Sequence, residues 1–203
     1  RLVVFITMQI KLLNFSFFLW FTCAIICRAD FAVQETKSGA VVTFKGELVT
    51  NYIVNESNKP FLWPLIGPSD IEMTRAYPMK DVKGERRDHP HHRSIWFGHQ
   101  SIDGFDTWHE PKTYLERRGS DDEKKRRLAK LGPTAHRKFL KLSGGKHAVI
   151  VAVNDYLASD GRKLLADKRT LTFRRYPTQL LLDFDIIFTA EHGDCRIGDM
   201  KDS

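Results

Sequence analysis

Residues 179–189 read QLLLDFDIIFT, and this stretch carries the clearest structural pattern in the chain. Its apolar side chains recur at every second position, which are Leu182, Phe184, Ile186 and Phe188. Asp183 and Asp185 alternate with them. Side chains of a β-strand point to opposite faces in turn, so this alternation predicts a strand with one buried and one solvated face.

Strand-like runs of the same kind recur along the chain, and turn residues separate them. They cover residues 40–44, 47–54, 139–142, 147–153 and 169–174. Lys45-Gly46 and Tyr176-Pro177-Thr178 are typical turn sequences between such runs. Regularly spaced strands without intervening helical patterns predict an all-β fold, and specifically an antiparallel β-sandwich.

The first 29 residues differ in composition from the rest. Met8 and Lys11 precede an apolar run over residues 12–26, and Cys27-Arg28-Ala29 places small residues at the cleavage positions. This pattern predicts a secretory signal peptide over residues 1–29, with an over-extended start before Met8. The alternative is a membrane anchor, but the run is shorter than the roughly 20 residues of a spanning helix. We therefore expect an exported protein, periplasmic or extracellular.

Residues 30–203 are predicted to form the N-terminal part of a single β-sandwich domain. Because no closing element follows the strand at 179–189, the sandwich is expected to be incomplete at its C-terminal end. Residues 112–130 carry dense charges of both signs, which is typical of a solvated insertion. Cys195 is the one cysteine after the leader, so no internal disulfide is expected.

Composition argues against some classes of partner. The formal charge of +7 includes three basic and no acidic residues within 1–29, so +4 remains for the rest. There is no basic stripe with interleaved aromatics, and no nucleic-acid partner is predicted. No later segment has the length and apolarity of a membrane span.

Residues 88–99 read DHPHHRSIWFGH and hold four of the chain's eight histidines. In an extended segment, which Pro90 favours for the residue before it, His89 and His91 would point the same way. Such a pair can bind one divalent metal ion if a third ligand joins it. His99 is the first candidate for that ligand, so the predicted metal set is His89, His91 and His99. The other candidates are His109, His136, Asp88 and Asp106.

The same residues also fit acid–base catalysis without a metal. His91 or His92 would transfer the proton, since histidine titrates near neutral pH, and Asp88 would orient the imidazole. Arg93 would contact an anionic or hydroxyl group, which completes the predicted catalytic set.

A ligand pocket beside the cluster is predicted from aromatic and polar neighbours. Trp96 and Trp108 could lie against a sugar ring, while Arg75 and Asp106 could bind its substituents. In a structural alternative, the tryptophans belong to the core and Arg93 pairs with Asp88 to close a turn. The chain has no nucleophile elbow, phosphate-binding glycine loop or dinucleotide fingerprint.

Several motifs resemble one bacterial family. They are KPFLWPLIGP at 59–68, TRAYPM at 74–79, GERRDHPHHRSIWFGH at 84–99, DTW at 106–108 and ADKRTL at 166–171. From about residue 41 onward the chain resembles the family labelled "methane oxygenase PmoA", largely exported proteins of unestablished activity. The resemblance implies a β-sandwich similar to the galactose-mutarotase type and a role near carbohydrate metabolism. The label implies a membrane-embedded copper oxygenase subunit, which would need several spanning helices.

Three hypotheses for function follow. In the first, an exported PmoA-like protein acts on or binds a carbohydrate-derived small molecule through the His/Asp/Arg cluster. In the second, it is a non-catalytic carbohydrate-binding or scaffold module. In the third, it is a metal-dependent enzyme that uses the His-x-His pair.

Overall fold

Two antiparallel sheets form the framework of the computed structural model, which describes residues 30–200. The predicted signal peptide, residues 1–29, lies outside the described residues. The first sheet has its five strands in sequence order. These strands are β1 (Phe31–Thr36), β2 (Gly39–Phe44), β3 (Glu47–Ile53), β4 (Phe61–Leu65) and β5 (Ile95–Trp96).

The second sheet is also a simple meander in sequence order. Its four strands are β6 (Thr134–Ser143), β7 (Ala148–Leu157), β8 (Lys163–Arg175) and β9 (Leu180–Thr189). The alternation predicted for β9 is confirmed from Leu180 to Ile186, where half-buried apolar residues alternate with exposed ones. Phe188 departs from the pattern and is exposed.

The predicted turn at Lys45-Gly46 joins β2 to β3. Lys45 has φ 53° and Gly46 has φ 94°. A two-residue hairpin of type I′ needs positive φ at both central residues, and glycine adopts it without steric cost.

The core lies between the two sheets, which confirms the predicted sandwich-like all-β fold. Val42 and Leu62 from the first sheet pack in one cluster with Ile150, Leu171 and Phe173 from the second. All five side chains are fully buried. Each contributes about 1.5–3 kcal/mol through removal of its apolar surface from water.

A polar network is buried in the second sheet. Asp167 accepts hydrogen bonds from Arg169 Nε at 2.8 Å, Asn154 Nδ2 at 2.6 Å and the Tyr156 hydroxyl at 2.6 Å. Arg169 also donates from Nη2 to the Tyr156 hydroxyl at 3.0 Å. Arg169 is 0% exposed, and its Nη1 and the buried hydroxyl of Tyr52 have no hydrogen-bond partner within residues 30–200.

Most of the charged segment 112–130 is exposed, although Tyr114 is buried, and much of the segment is helical. It contains most of α1 (Pro111–Leu115) and all of α2 (Asp121–Leu128). Ser120 caps α2 by accepting from the Glu123 amide at 3.2 Å, with acidic residues in the first turn and basic residues in the last. The Ser-x-x-Glu spacing and this charge order are sequence signals for a helix start. No residue of α2 is buried.

Between β4 and α1 the chain is mostly irregular. It contains a short 3-10 helix (Pro68–Asp70) and the two-residue strand β5, which is shorter than the strand expected after Ser94. This segment carries the histidine cluster. Within residues 30–200, no helix is long and apolar enough to cross a membrane.

Candidate functional site

The histidine cluster is a tight turn, so the prediction of an extended segment is wrong. The His92 amide donates to the His89 carbonyl at 2.9 Å, and His89 has φ 48°. Pro90 suits the second position of such a turn. Arg75 holds the turn, because its Nη2 donates to the carbonyls of Asp88 at 2.7 Å and His89 at 3.0 Å.

This turn brings four imidazoles together. The ring centroid of His91 lies 4.5 Å from that of His92 and 4.5 Å from that of His109. The His89 ring stacks on His92 at 4.8 Å with an interplanar angle of 18°. The cluster therefore contains His109, which was predicted only as one of several candidate metal ligands.

The four rings line an open cavity of about 500 Å³. We call it the histidine hollow, defined by His89, His91, His92, His109 and Trp108. Its size and its mixture of aromatic and polar groups fit a small molecule. Trp108, which was predicted to contact a ligand, is one of the lining residues.

Trp96, the other predicted ligand contact, is not among the residues that line the histidine hollow. Its ring lies 4.4 Å from that of Trp108 in an edge-on arrangement. The ammonium of Lys59 sits 4.3 Å from the Trp96 ring centroid. Trp96 therefore supports Trp108 from behind, between the wall of the hollow and a buried cation.

Asp106 orients His109. One carboxylate oxygen lies 2.9 Å from His109 Nδ1 and accepts from the Tyr114 hydroxyl at 2.6 Å. The other accepts from the amides of Trp108 at 2.9 Å and His109 at 3.0 Å. Burial opposes ionisation, but these hydrogen bonds outweigh it and hold the pKa of Asp106 below its usual value.

The charge of Asp106 also decides the tautomer of His109. An ionised carboxylate can only accept hydrogen bonds, so His109 carries its proton on Nδ1. The Nε2 atom is then the basic nitrogen. Asp106, predicted as a ligand contact, is thus the orienting carboxylate of an Asp–His pair.

His91 is held in its neutral form. It is 4% exposed, and its Nδ1 lies 3.0 Å from the hydroxyl of Thr113. Burial, together with the neighbouring imidazoles of His109 and His92, lowers the pKa of His91 to about 3. At neutral pH His91 can donate or accept hydrogen bonds without bringing a charge into the hollow.

This environment predicts an acid-sensitive fold. An unfolded histidine binds a proton near pH 6.5, whereas folded His91 resists protonation down to about 3. Between these values the unfolded chain binds more protons, so stability is lost as the pH falls. We expect His91→Gln to lose less stability than the wild type between about pH 7 and about pH 5, measured by urea unfolding. The exposed His192→Gln is the matched control, and equal losses in all three proteins would contradict the assignment.

The predicted roles of Asp88, Arg75 and Arg93 are not matched by their contacts. Asp88 pairs with Arg75 at 2.7 Å and lies 3.2 Å from His89 Nδ1, so it contacts neither predicted proton-transfer histidine. Arg75 holds the turn backbone. Arg93 donates from Nε at 2.7 Å and Nη2 at 2.9 Å to the Glu110 carboxylate and is occupied there. Asp88 does line the histidine hollow, whereas Arg75 and Arg93 support the site from outside it.

The predicted metal set of His89, His91 and His99 is not assembled. His99 Nδ1 accepts a hydrogen bond from the Ser101 amide at 3.0 Å, and its backbone pairs with Thr107. In the described part of the chain, no group of three or more His, Cys, Asp or Glu side chains could hold a metal ion.

A buried ion-pair cluster under the site was missed by sequence reasoning. Lys59 is 0% exposed, donates to the Trp108 carbonyl at 2.6 Å and lies 3.4 Å from Glu110. Burial lowers the pKa of Lys59 to about 8, against the opposing effect of Glu110. The Asp106–His109 pair could have been found from the sequence, because its two residues are only three positions apart. Lys59 and Glu110 lie far apart in the sequence, so no local pattern indicates that they pair.

A second cavity of about 550 Å³ lies on the other side of His109. We call it the basic hollow, defined by Arg117, Arg127, Lys130, Tyr114 and His109. His109 and Arg117 line both cavities. The two hollows therefore share a wall.

Comparison with known proteins identifies a family. A family model described as "Family of unknown function (DUF6807)" matches residues 39–203. No curated protein and no solved structure matches the chain. The resemblance to the family labelled "methane oxygenase PmoA" is not tested by this match and stays a prediction. Because the match covers most of its length, the chain belongs to the DUF6807 family of unknown function.

Proposed function

We propose that the protein acts on a carbohydrate-derived small molecule in the histidine hollow, with the Asp106–His109 pair as its proton-transfer device. The observation that carries the proposal is the position of His109. Its imidazole lines an open cavity while a fully hydrogen-bonded carboxylate orients it from behind. A pair of this kind is the usual form of a general base.

The chemistry follows from the two nitrogens of His109. Nε2 takes a proton from a ligand hydroxyl or an acidic C–H group, and the imidazolium that forms is stabilised by Asp106. The Tyr114 hydroxyl and two backbone amides prevent the carboxylate from turning away. Neutral His91, packed against His109, offers a hydrogen bond to the ligand without repelling the imidazolium.

The remaining wall suits a sugar ring. Trp108 provides an apolar surface, and Trp96 keeps it in place. Arg87 and Glu116 at the rim provide polar groups for hydroxyls. The proposal therefore keeps the predicted ligand class and moves the proton-transfer role from His91 or His92 to His109.

The test is turnover of a panel of reducing monosaccharides, followed by NMR for exchange or isomerisation at the anomeric and neighbouring carbons. We expect His109→Gln to lower the rate by about 100-fold or more, since general base catalysis typically contributes that much. Affinity, measured separately, should change little, because glutamine keeps a polar side chain of similar size. His192→Gln, on the exposed surface, is the matched control.

Two outcomes would contradict the catalytic role. The first is a His109→Gln protein that turns over as fast as the wild type. The second is sugar binding by the wild type with no product, which would instead support a non-catalytic binding module that uses the same hollow.

A further inference from the structure

The basic hollow is not used by the proton-transfer proposal, yet it adjoins the same imidazole. Three cationic side chains line it, from Arg117, Arg127 and Lys130. All three belong to the charged segment 112–130, whose exposed residues are otherwise typical of a solvated face. A solvated face does not explain why these three cations line the same cavity beside His109.

The negative charge in this cavity is already compensated. Among the described residues that line it, Asp106 is the one carboxylate, and it accepts four hydrogen bonds from His109, Tyr114 and Trp108. It therefore has little capacity to pair with the three cations.

Two of the cations have no carboxylate partner in the part of the chain that the structure describes. Arg127 pairs with Glu123 at 3.2 Å and lies over the Tyr114 ring. Arg117 and Lys130 form no ion pair within residues 30–200. The cavity consequently has an excess of positive charge that is available to a ligand.

We infer that the basic hollow receives the anionic substituent of the ligand whose ring occupies the histidine hollow. This inference rests on the proposed function and specifies its substrate class as an acidic saccharide, carrying a carboxylate, sulfate or phosphate group. Arg117 lines both hollows and so contacts the junction between ring and substituent. Its guanidinium can bind an oxyanion through two parallel hydrogen bonds, while Lys130 acts as a point charge.

The first experiment uses inorganic sulfate, so that it does not depend on sugar binding. Sulfate is titrated into the full chain at constant ionic strength, and binding is followed by NMR. We expect saturable binding that weakens by on the order of tenfold in Arg117→Gln and in Lys130→Gln, the loss of one charge-assisted hydrogen bond. Lys125→Gln, in the same charged segment but outside the cavity lining, should bind as the wild type does.

The second experiment compares a uronate monosaccharide with the neutral sugar of the same ring configuration. The uronate should bind on the order of tenfold more tightly, and Lys130→Gln should abolish that preference. Lys125→Gln should leave the preference intact, since Lys125 lines neither hollow.

The outcomes separate the two proposals. Equal affinity for both sugars with His109-dependent turnover would overturn the acidic-substrate inference and leave the proposed function standing. The inference would also be overturned if sulfate affinity were unchanged in Arg117→Gln and Lys130→Gln. The same holds if Lys125→Gln lowered sulfate affinity as much as they do. Site-specific sulfate binding without any sugar binding would retain the anion site and overturn the carbohydrate function.

Discussion

Asp167→Ala is expected to lower the free energy of unfolding by about 3–5 kcal/mol, because it leaves a buried guanidinium without its counter-charge. Arg169 is 0% exposed and already has one nitrogen without a partner in the described residues. The substitution also removes the acceptor for Asn154 and for the Tyr156 hydroxyl. Urea unfolding at neutral pH measures the loss, provided that the variant refolds reversibly.

A double substitution distinguishes the pair from general damage to the core. Asp167→Leu combined with Arg169→Met replaces both charges with apolar side chains. It should cost less than Asp167→Ala alone, since no buried charge then lacks a partner. The surface control is Asp183→Ala, whose partner Arg174 is partly exposed, and its cost should be much smaller because solvent screens an exposed pair. If Asp167→Ala cost no more than that control, the buried pair would not stabilise the sandwich.

We expect Glu110→Ala to lower the free energy of unfolding by about 3–5 kcal/mol as well, because it leaves the cations of Lys59 and Arg93 without their shared counter-charge. Glu110 is 5% exposed and accepts from Arg93 and from Ser57 Oγ at 2.9 Å, with Lys59 Nζ at 3.4 Å. Without the carboxylate, Lys59 and Arg93 repel each other in a buried region. Urea unfolding again measures the effect, and Glu116→Ala, from an exposed pair with Lys112, is the control.

The pH dependence of this variant gives a second measurement. Folded Lys59 releases its proton near pH 8, whereas an unfolded lysine holds it to about 10.5. In that interval the unfolded chain binds more protons, so the contribution of Lys59 to stability rises with pH. In Glu110→Ala the pKa of Lys59 in the folded protein should fall further. The increase of stability with pH should therefore begin at a lower pH than in the wild type. If stability began to increase at the same pH in the wild type and in Glu110→Ala, the electrostatic explanation would be contradicted.

The fold was predictable where one element carries its own pattern. The alternation in β9 and the Lys45-Gly46 turn need no information from distant parts of the chain. The helix α2 was equally predictable from Ser120 and Glu123, but the dense charge of the segment was interpreted only as solvated surface.

The candidate site was predictable in part, and the limits have physical causes. His89, His91 and His92 cluster because they are neighbours in sequence. Their turn depends on donors from Arg75, which precedes them by more than ten residues, so an extended segment was the wrong prediction. His99 was expected to join them, but its ring nitrogen already accepts from a nearby amide. Such contacts depend on tertiary structure and leave no periodic pattern.

The two hollows adjoin each other, because His109 and Arg117 line both. Once the anionic substituent of an acidic saccharide is bound in one hollow, its ring is held near the other at a high effective concentration. The joined ligand should therefore bind more tightly than sulfate and a neutral sugar supplied as separate molecules.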